Sequence, residues 1–99
     1  MYYFFLAFLH FLIHPGHSIV IDLENPAQSI YKLDEGTKLD YINSVYSMKK
    51  ILHLQCPLNC DITFSNVTIT LSSNSEFVVS GFNFIVSNSQ FKITSNSMF

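Results

Sequence analysis

Residues 61–99 read DITFSNVTITLSSNSEFVVSGFNFIVSNSQFKITSNSMF, and this stretch repeats itself. Ser-Asn-Ser-x-Phe occurs three times, at 73–77, 87–91 and 95–99. Laying residues 65–77 over 87–99, an offset of 22, matches Ser65, Asn66, Ser73, Asn74, Ser75 and Phe77 to identical residues. Ile69 then meets Phe91, Leu71 meets Ile93 and Ser72 meets Thr94, so apolar and polar classes match as well. Self-similarity at a spacing of roughly 20–50 residues marks a stacked repeat, in which one unit buries its apolar face against the next.

Within the stretch the apolar residues alternate. Val67, Ile69 and Leu71 share one side of an extended chain, and Thr68 and Thr70 share the other. Phe82, Phe84 and Val86 form a second row, and Phe91 with Ile93 a third. These short runs end at Ser-Asn or Ser-Gly corners. The fold expected is all-β: a short parallel β-helix, or solenoid, with a coil period of about 22 residues. Antiparallel hairpins are the competing arrangement of the same strands. Stacking at 22 places Asn66 over Asn88 and Asn74 over Asn96 as side-chain amide ladders, and Phe77 over Phe99 in the interior. Asn suits a corner because it tolerates the left-handed backbone conformation. An earlier coil shows in residues 61–64, which match 83–86 at the same offset. Ile51-Leu52 matches Phe77-Val78 at 26, which assigns the extra residues to a corner insertion carrying the cysteines.

That insertion is Cys56-Pro57-Leu58-Asn59-Cys60. In an oxidising compartment a Cys56–Cys60 disulfide is expected. A loop this short gains little chain entropy from closure, about 2 kcal/mol or less, so the bond shapes a turn. A zinc site through His53, Cys56 and Cys60 lacks a fourth ligand. No metal and no cofactor are expected.

Upstream, residues 19–23 alternate and are β-branched, which predicts a strand ended by Glu24-Asn25-Pro26. Further strands are expected over 29–33 and 37–42, joined by the turn Asp34-Glu35-Gly36. Lys32-Leu33-Asp34 recurs as Lys38-Leu39-Asp40 across that turn and reads as a hairpin with similar arms. Residues 43–55 carry two signals. Asn43 or Ser44 is placed to cap a helix with Val45, Met48 and Leu52 on one face, while 50–55 reads as a strand. A short helix running into a strand satisfies both, and a helical or irregular segment here would serve as the N-terminal cap that solenoids need.

Residues 2–13 are apolar apart from His10, Pro15-Gly16 ends any helix, and Gly16 and Ser18 occupy the −3 and −1 positions of a cleavage site. This layout predicts a cleaved secretory signal peptide over 1–18. A membrane span needs about 20 apolar residues, more than this run supplies. The chain thus divides into a signal over 1–18, N-terminal strands, cap region and Cys loop over 19–60, and repeats over 61–99.

Hydrophobic content of 48% against 12% charged argues for a packed core. A net charge of −2 gives no electrostatic footprint for nucleic acid. From residue 61 onward the only charged side chains are Asp61, Glu76 and Lys92, separated along the chain. A pair of carboxylates converging for acid–base chemistry is not visible there.

With these Ser/Asn corners and in-register apolar rows, residues 61–99 resemble right-handed parallel β-helix proteins of the pectate-lyase-like class; residues 51–60 extend the match weakly. The stretch also resembles the Ser/Asn-rich surface repeats of polymorphic membrane proteins and autotransporter passengers, although the Gly-Gly-Ala-Ile type motifs of the former are absent. The resemblance implies a secreted or cell-surface structural or binding module, not an enzyme, with a glycan or surface protein as partner. The alternative on the same fold is a fragment of a carbohydrate-active enzyme, a polysaccharide lyase or glycoside hydrolase. The sequence stops inside a second copy of the repeat with no polar cap, which suggests the N-terminal piece of a longer protein and self-association through an open C-terminal edge.

Asn66-Val67-Thr68 is the only Asn-x-Ser/Thr sequon. Glycosylation at Asn66 needs an exposed amide. Alternation from an inward Val67 turns Asn66 outward, whereas an internal ladder to Asn88 would turn it in.

Overall fold

The computed structural model describes residues 19–94 and 96–99. The signal expected over 1–18 lies outside them. The protein is all-β, with five strands in one open, unclosed sheet and no helix among the described residues. The strands are β1 (Ile30–Lys32), β2 (Lys38–Met48), β3 (Ile51–Leu71), β4 (Glu76–Ser87) and β5 (Gln90–Ile93). β3 is the hub. It pairs in parallel with each of the other four.

The registers show how one strand serves four neighbours. Residues 53–55 of β3 lie beside 30–32 on one side, and 51–55 lie beside 76–80 on the other. Further along, 61–65 lie between 38–42 and 83–87. The last segment, 67–71, has 44–48 on one side, while 68–71 pair with 90–93 on the other. On the N-terminal side every partner is 23 residues away. On the C-terminal side the separation is 25 over 51–55 and 22 from Cys60 onward, with the irregularity between Gln55 and Cys60. The spacing is therefore not a uniform 22. The expected offset of 26 for Ile51-Leu52 is corrected to 25: Ile51 pairs with Glu76 and Leu52 with Phe77. The reason is the two-residue alternation of side chains. A slip of one residue would lay exposed Ile51 beside fully buried Phe77 and reverse the faces of the segment.

The bends have a common chemistry. Among the described residues eight have positive φ: Gly36, Asn59 and Gly81; Asn43, Asn66 and Asn88; Asn74 and Asn96. Within each of these three sets the members are 23 or 22 residues apart. A left-handed conformation costs an ordinary L-residue about 1–2 kcal/mol, and Gly and Asn are the residues that visit it routinely. The sequence meets every such position with one of the two.

Between the bends the alternation sets the core. Leu39, Tyr41, Ile62, Phe64, Val67, Ile69, Leu71, Leu52, Leu54 and Phe77 are all buried. The outward residues between them are polar on β3, namely Thr63, Ser65, Thr68 and Thr70. Tyr41 and Phe64, register partners, stack with centroids 5.5 Å apart. This core is continuous from Ile21 to Phe77, and β3 itself runs across the boundary at 60/61, beyond which the repeats were expected.

Three local expectations are overturned. Residues 19–23 form no strand, although Ile21 and Leu23 are buried and Val20 exposed, as alternation requires. Residues 30–32 and 38–48 are not arms of a hairpin. Both lie parallel to β3, because their apolar residues are buried by the next turn of chain and not by each other. The helix expected after Asn43 is β-strand through Met48. Asn43 takes φ 51° and turns the strand instead of capping a helix. Val45 points to solvent, and only Met48 and Leu52 of the supposed apolar face are buried. Backbone pairing with 67–71 outweighs a weak helical propensity.

Candidate functional site

The outer surface offers three features: polar columns running across the strands, the Cys loop, and an uncovered apolar end.

The polar columns arise because parallel register brings residues 22–23 apart side by side. Lys38, Asp61 and Asn83 are such a set. The Lys38 ammonium donates to Asp61 Oδ2 at 3.0 Å, and the Asn83 amide donates to Oδ1 at 3.0 Å. Those two hydrogen bonds, Asn83 first, hold the exposed Asp61 carboxyl below the usual carboxylate range. His53 and Glu76 meet at 2.9 Å on another part of the surface.

At the bends, Asn66 is exposed and its Nδ2 donates to Asn43 Oδ1 at 3.0 Å. The amide ladder expected between Asn66 and Asn88 is thus replaced by one to the preceding turn of chain. Asn88 shares the bend column, but Ser89 takes up the contact on that side, its hydroxyl accepting from Val67 N at 3.0 Å. Asn74 and Asn96 are joined through the main chain, Asn74 N donating to Asn96 O at 3.0 Å, and not through their side-chain amides. Short Ser and Thr hydroxyls close these turns, as Ser75 Oγ does on Ser72 O at 2.6 Å.

Cys56 and Cys60 are joined in a disulfide with Cα atoms 6.4 Å apart. The loop they close absorbs the change in register between Gln55 and Cys60. Gly81 is its counterpart on β4. It has φ 82°, and a Cβ there would run into the Cys56 carbonyl oxygen. A shallow depression of about 290 Å³ lies beside the loop, lined by Lys32, Leu33, Gln55, Cys56 and Pro57.

The uncovered end is made by β4, β5 and the residues after them. Phe84, Val86, Ile93, Met98 and Phe99 are 40–52% exposed. Phe84, Val86 and Ile93 occupy the same columns as Ile62, Phe64 and Leu71, which are fully buried. Phe77 and Phe99 stack as expected, with centroids 5.2 Å apart, but only Phe77 is interior. Phe91 closes the group, 4.9 Å from Phe99 and 5.3 Å from Phe64.

Among the described residues no group of three or more His, Cys, Asp or Glu is placed to hold a metal. Asp61 and Glu76 are engaged with separate partners, Lys38 with Asn83 and His53. Gly81 was expected at a Ser-Gly corner, Asn59 in the Cys loop and Asn43 as a helix cap, but their common role as left-handed bends was not anticipated. The spacing of 23 and 22 that links Gly36, Asn59 and Gly81 was legible, but only once Gly and Asn are treated as interchangeable at a left-handed bend. Comparison with protein-family models, with curated proteins and with solved structures finds no match.

Proposed function

We propose that the chain is a short parallel β-helix with coils of 22–25 residues, working as a secreted or cell-surface structural or binding module and not as an enzyme. One observation carries the architecture. All eight left-handed residues fall into three columns at the register spacing, which is what a coil with three corners requires. The composition of the outer face supports a binding role, since Ser, Thr and Asn dominate it, while Asp61 is engaged by Lys38 and Glu76 by His53. Function follows from sites and not from fold alone. The partners proposed are a glycan or surface protein on the regular polar face, and a further β-edge at the uncovered end. There, backbone groups and apolar side chains of β4 and β5 invite self-association.

The test is to purify the secreted chain, follow its mass by sedimentation over a concentration series, and incubate it with polysaccharides. Concentration-dependent association that Ile93→Lys weakens is expected. A monodisperse monomer that releases reducing ends would overturn the reading in favour of a glycoside hydrolase or lyase fragment.

A further inference from the structure

We propose that Asn66 is the attachment point of an N-linked glycan that projects from the bend, covers the apolar side chains of Ile42 and Val45 beside it, and leaves the Asn66–Asn43 hydrogen bond in place. The inference rests on the reading of the chain as secreted.

Exposure and conservation of a hydrogen bond, which looked like alternatives in the sequence, are compatible in the structure. Asn66 and Thr68 face outward, and Val67 between them is buried. The Asn66 amide carries two N–H groups. One donates to Asn43 Oδ1, and among the described residues the other has no partner. In glycosylation the Nδ2 atom forms a bond to the anomeric carbon of the first sugar of a lipid-linked oligosaccharide diphosphate. The bond from that carbon to phosphate oxygen breaks, the lipid diphosphate leaves with its electron pair, and the amide loses one proton. One N–H remains, enough for the bond to Asn43.

The second observation is the surface around the bend. Ile42 is 59% exposed and Val45 76% exposed, flanking Asn43 on the adjacent strand. Their register partners are Ser65 and Thr68, which flank Asn66. Neighbouring strands lie about 4.8 Å apart, so both apolar side chains are within reach of the first sugar and its acetamide methyl. The other outward positions of β2, such as Asp40 and Ser47, are polar. A sugar at Asn66 supplies the cover that the protein does not.

Translation of the full chain with endoplasmic-reticulum microsomes tests the proposal. Protease protection reports translocation, and an endoglycosidase-sensitive mass increase reports the glycan. Protected chains should carry one glycan, lost in both Asn66→Gln and Thr68→Ala; the second variant keeps Asn at the left-handed bend. Protected chains without the added mass would overturn the site and leave secretion standing. Unprotected chains would sink the secretion reading; the full chain is then delivered behind a cleavable leader, where absence of the glycan overturns the site and its presence supports it. Protein trimmed to a single sugar should unfold at the same urea concentration as unglycosylated Thr68→Ala protein and bind less hydrophobic dye. A lower midpoint would show that the Asn43 bond is lost, and equal dye binding would show that Ile42 and Val45 are not covered.

Discussion

The two ends of the stack of strands are made from similar apolar rows and end in opposite states. At the N-terminal end the irregular segment 19–29 folds over the rows. Ile21 and Leu23 are buried, Tyr41 donates its hydroxyl hydrogen to Ile21 O at 2.9 Å, and Ser47 N donates to Glu24 Oε2 at 2.7 Å. At the C-terminal end the later part of β4, residues 82–87, and β5 have a strand neighbour on one side only, and Phe84, Val86 and Ile93 are about half exposed. An inward-pointing side chain in a parallel stack is buried only when further chain, strand or irregular, covers it on both sides. Pointing inward and being buried are separate properties, and only the first is written in the alternation.

The largest expected effect compares a covered residue with its uncovered neighbour. Phe64→Ala in the middle of the stack should cost about 3–5 kcal/mol, the usual loss for an interior Phe. Phe84→Ala, 6.3 Å away between ring centroids, should cost much less because its ring is half solvated already. Urea denaturation of both variants checks this; equal losses would mean that the C-terminal end is covered in solution.

Next comes Gly81, where the C-terminal rows approach the Cys loop. Gly81→Ala adds left-handed strain and a clash with the Cys56 carbonyl, together roughly 2–4 kcal/mol. Asn66→Gly, at another left-handed bend, adds neither strain nor clash and should cost only the hydrogen bond to Asn43, about 1 kcal/mol or less. A benign Gly81→Ala would break the proposed contact between loop and β4.

The N-terminal cover has its own handle. Tyr41→Phe removes the bond to Ile21 O and should cost about 1 kcal/mol. Burial, with Tyr46 and Asp22 adding to it, pushes the Tyr41 phenol above its ordinary range. A raised folded-state value means that stability is fully present below the unfolded value of about 10 and is lost as pH rises through it. Wild type should therefore weaken in alkali more steeply than Tyr41→Phe, and matching alkaline profiles would place Tyr41 in solvent.

The smallest effect lies on the polar column linking the two ends. The folded Asp61 value is depressed, so its contribution is present above the unfolded value of about 3.9 and disappears as pH falls through the folded one. Because the group is exposed, the effect on stability should be slight. The informative measurement is the NMR titration midpoint of Asp61, expected below the ordinary carboxylate value and raised by Asn83→Leu. An unshifted midpoint would remove the column as a structural element.

Much of this molecule is local and was legible in the chain. Alternation assigned Val67, Ile69 and Leu71 to the interior and Thr68 and Thr70 to the outside. The repeated Ser-Asn-Ser-x-Phe fixed the offset of 22 that pairs Ser65 with Ser87 and Ile69 with Phe91. The proximity of Cys56 and Cys60 named the disulfide. Each of these depends on a residue's own chemistry or on neighbours a few positions away. The tertiary structure decided what depends on partners. It made 43–48 strand because a neighbouring strand supplies the backbone hydrogen bonds that a helix would have found within itself. It set 30–32 and 38–48 parallel to β3, and gave the Asn66 amide to Asn43 instead of Asn88. It also separated buried Phe64 from half-exposed Phe84, two rings with the same pattern around them. Burial is a property of what lies on the next strand, and no residue carries that in its own identity.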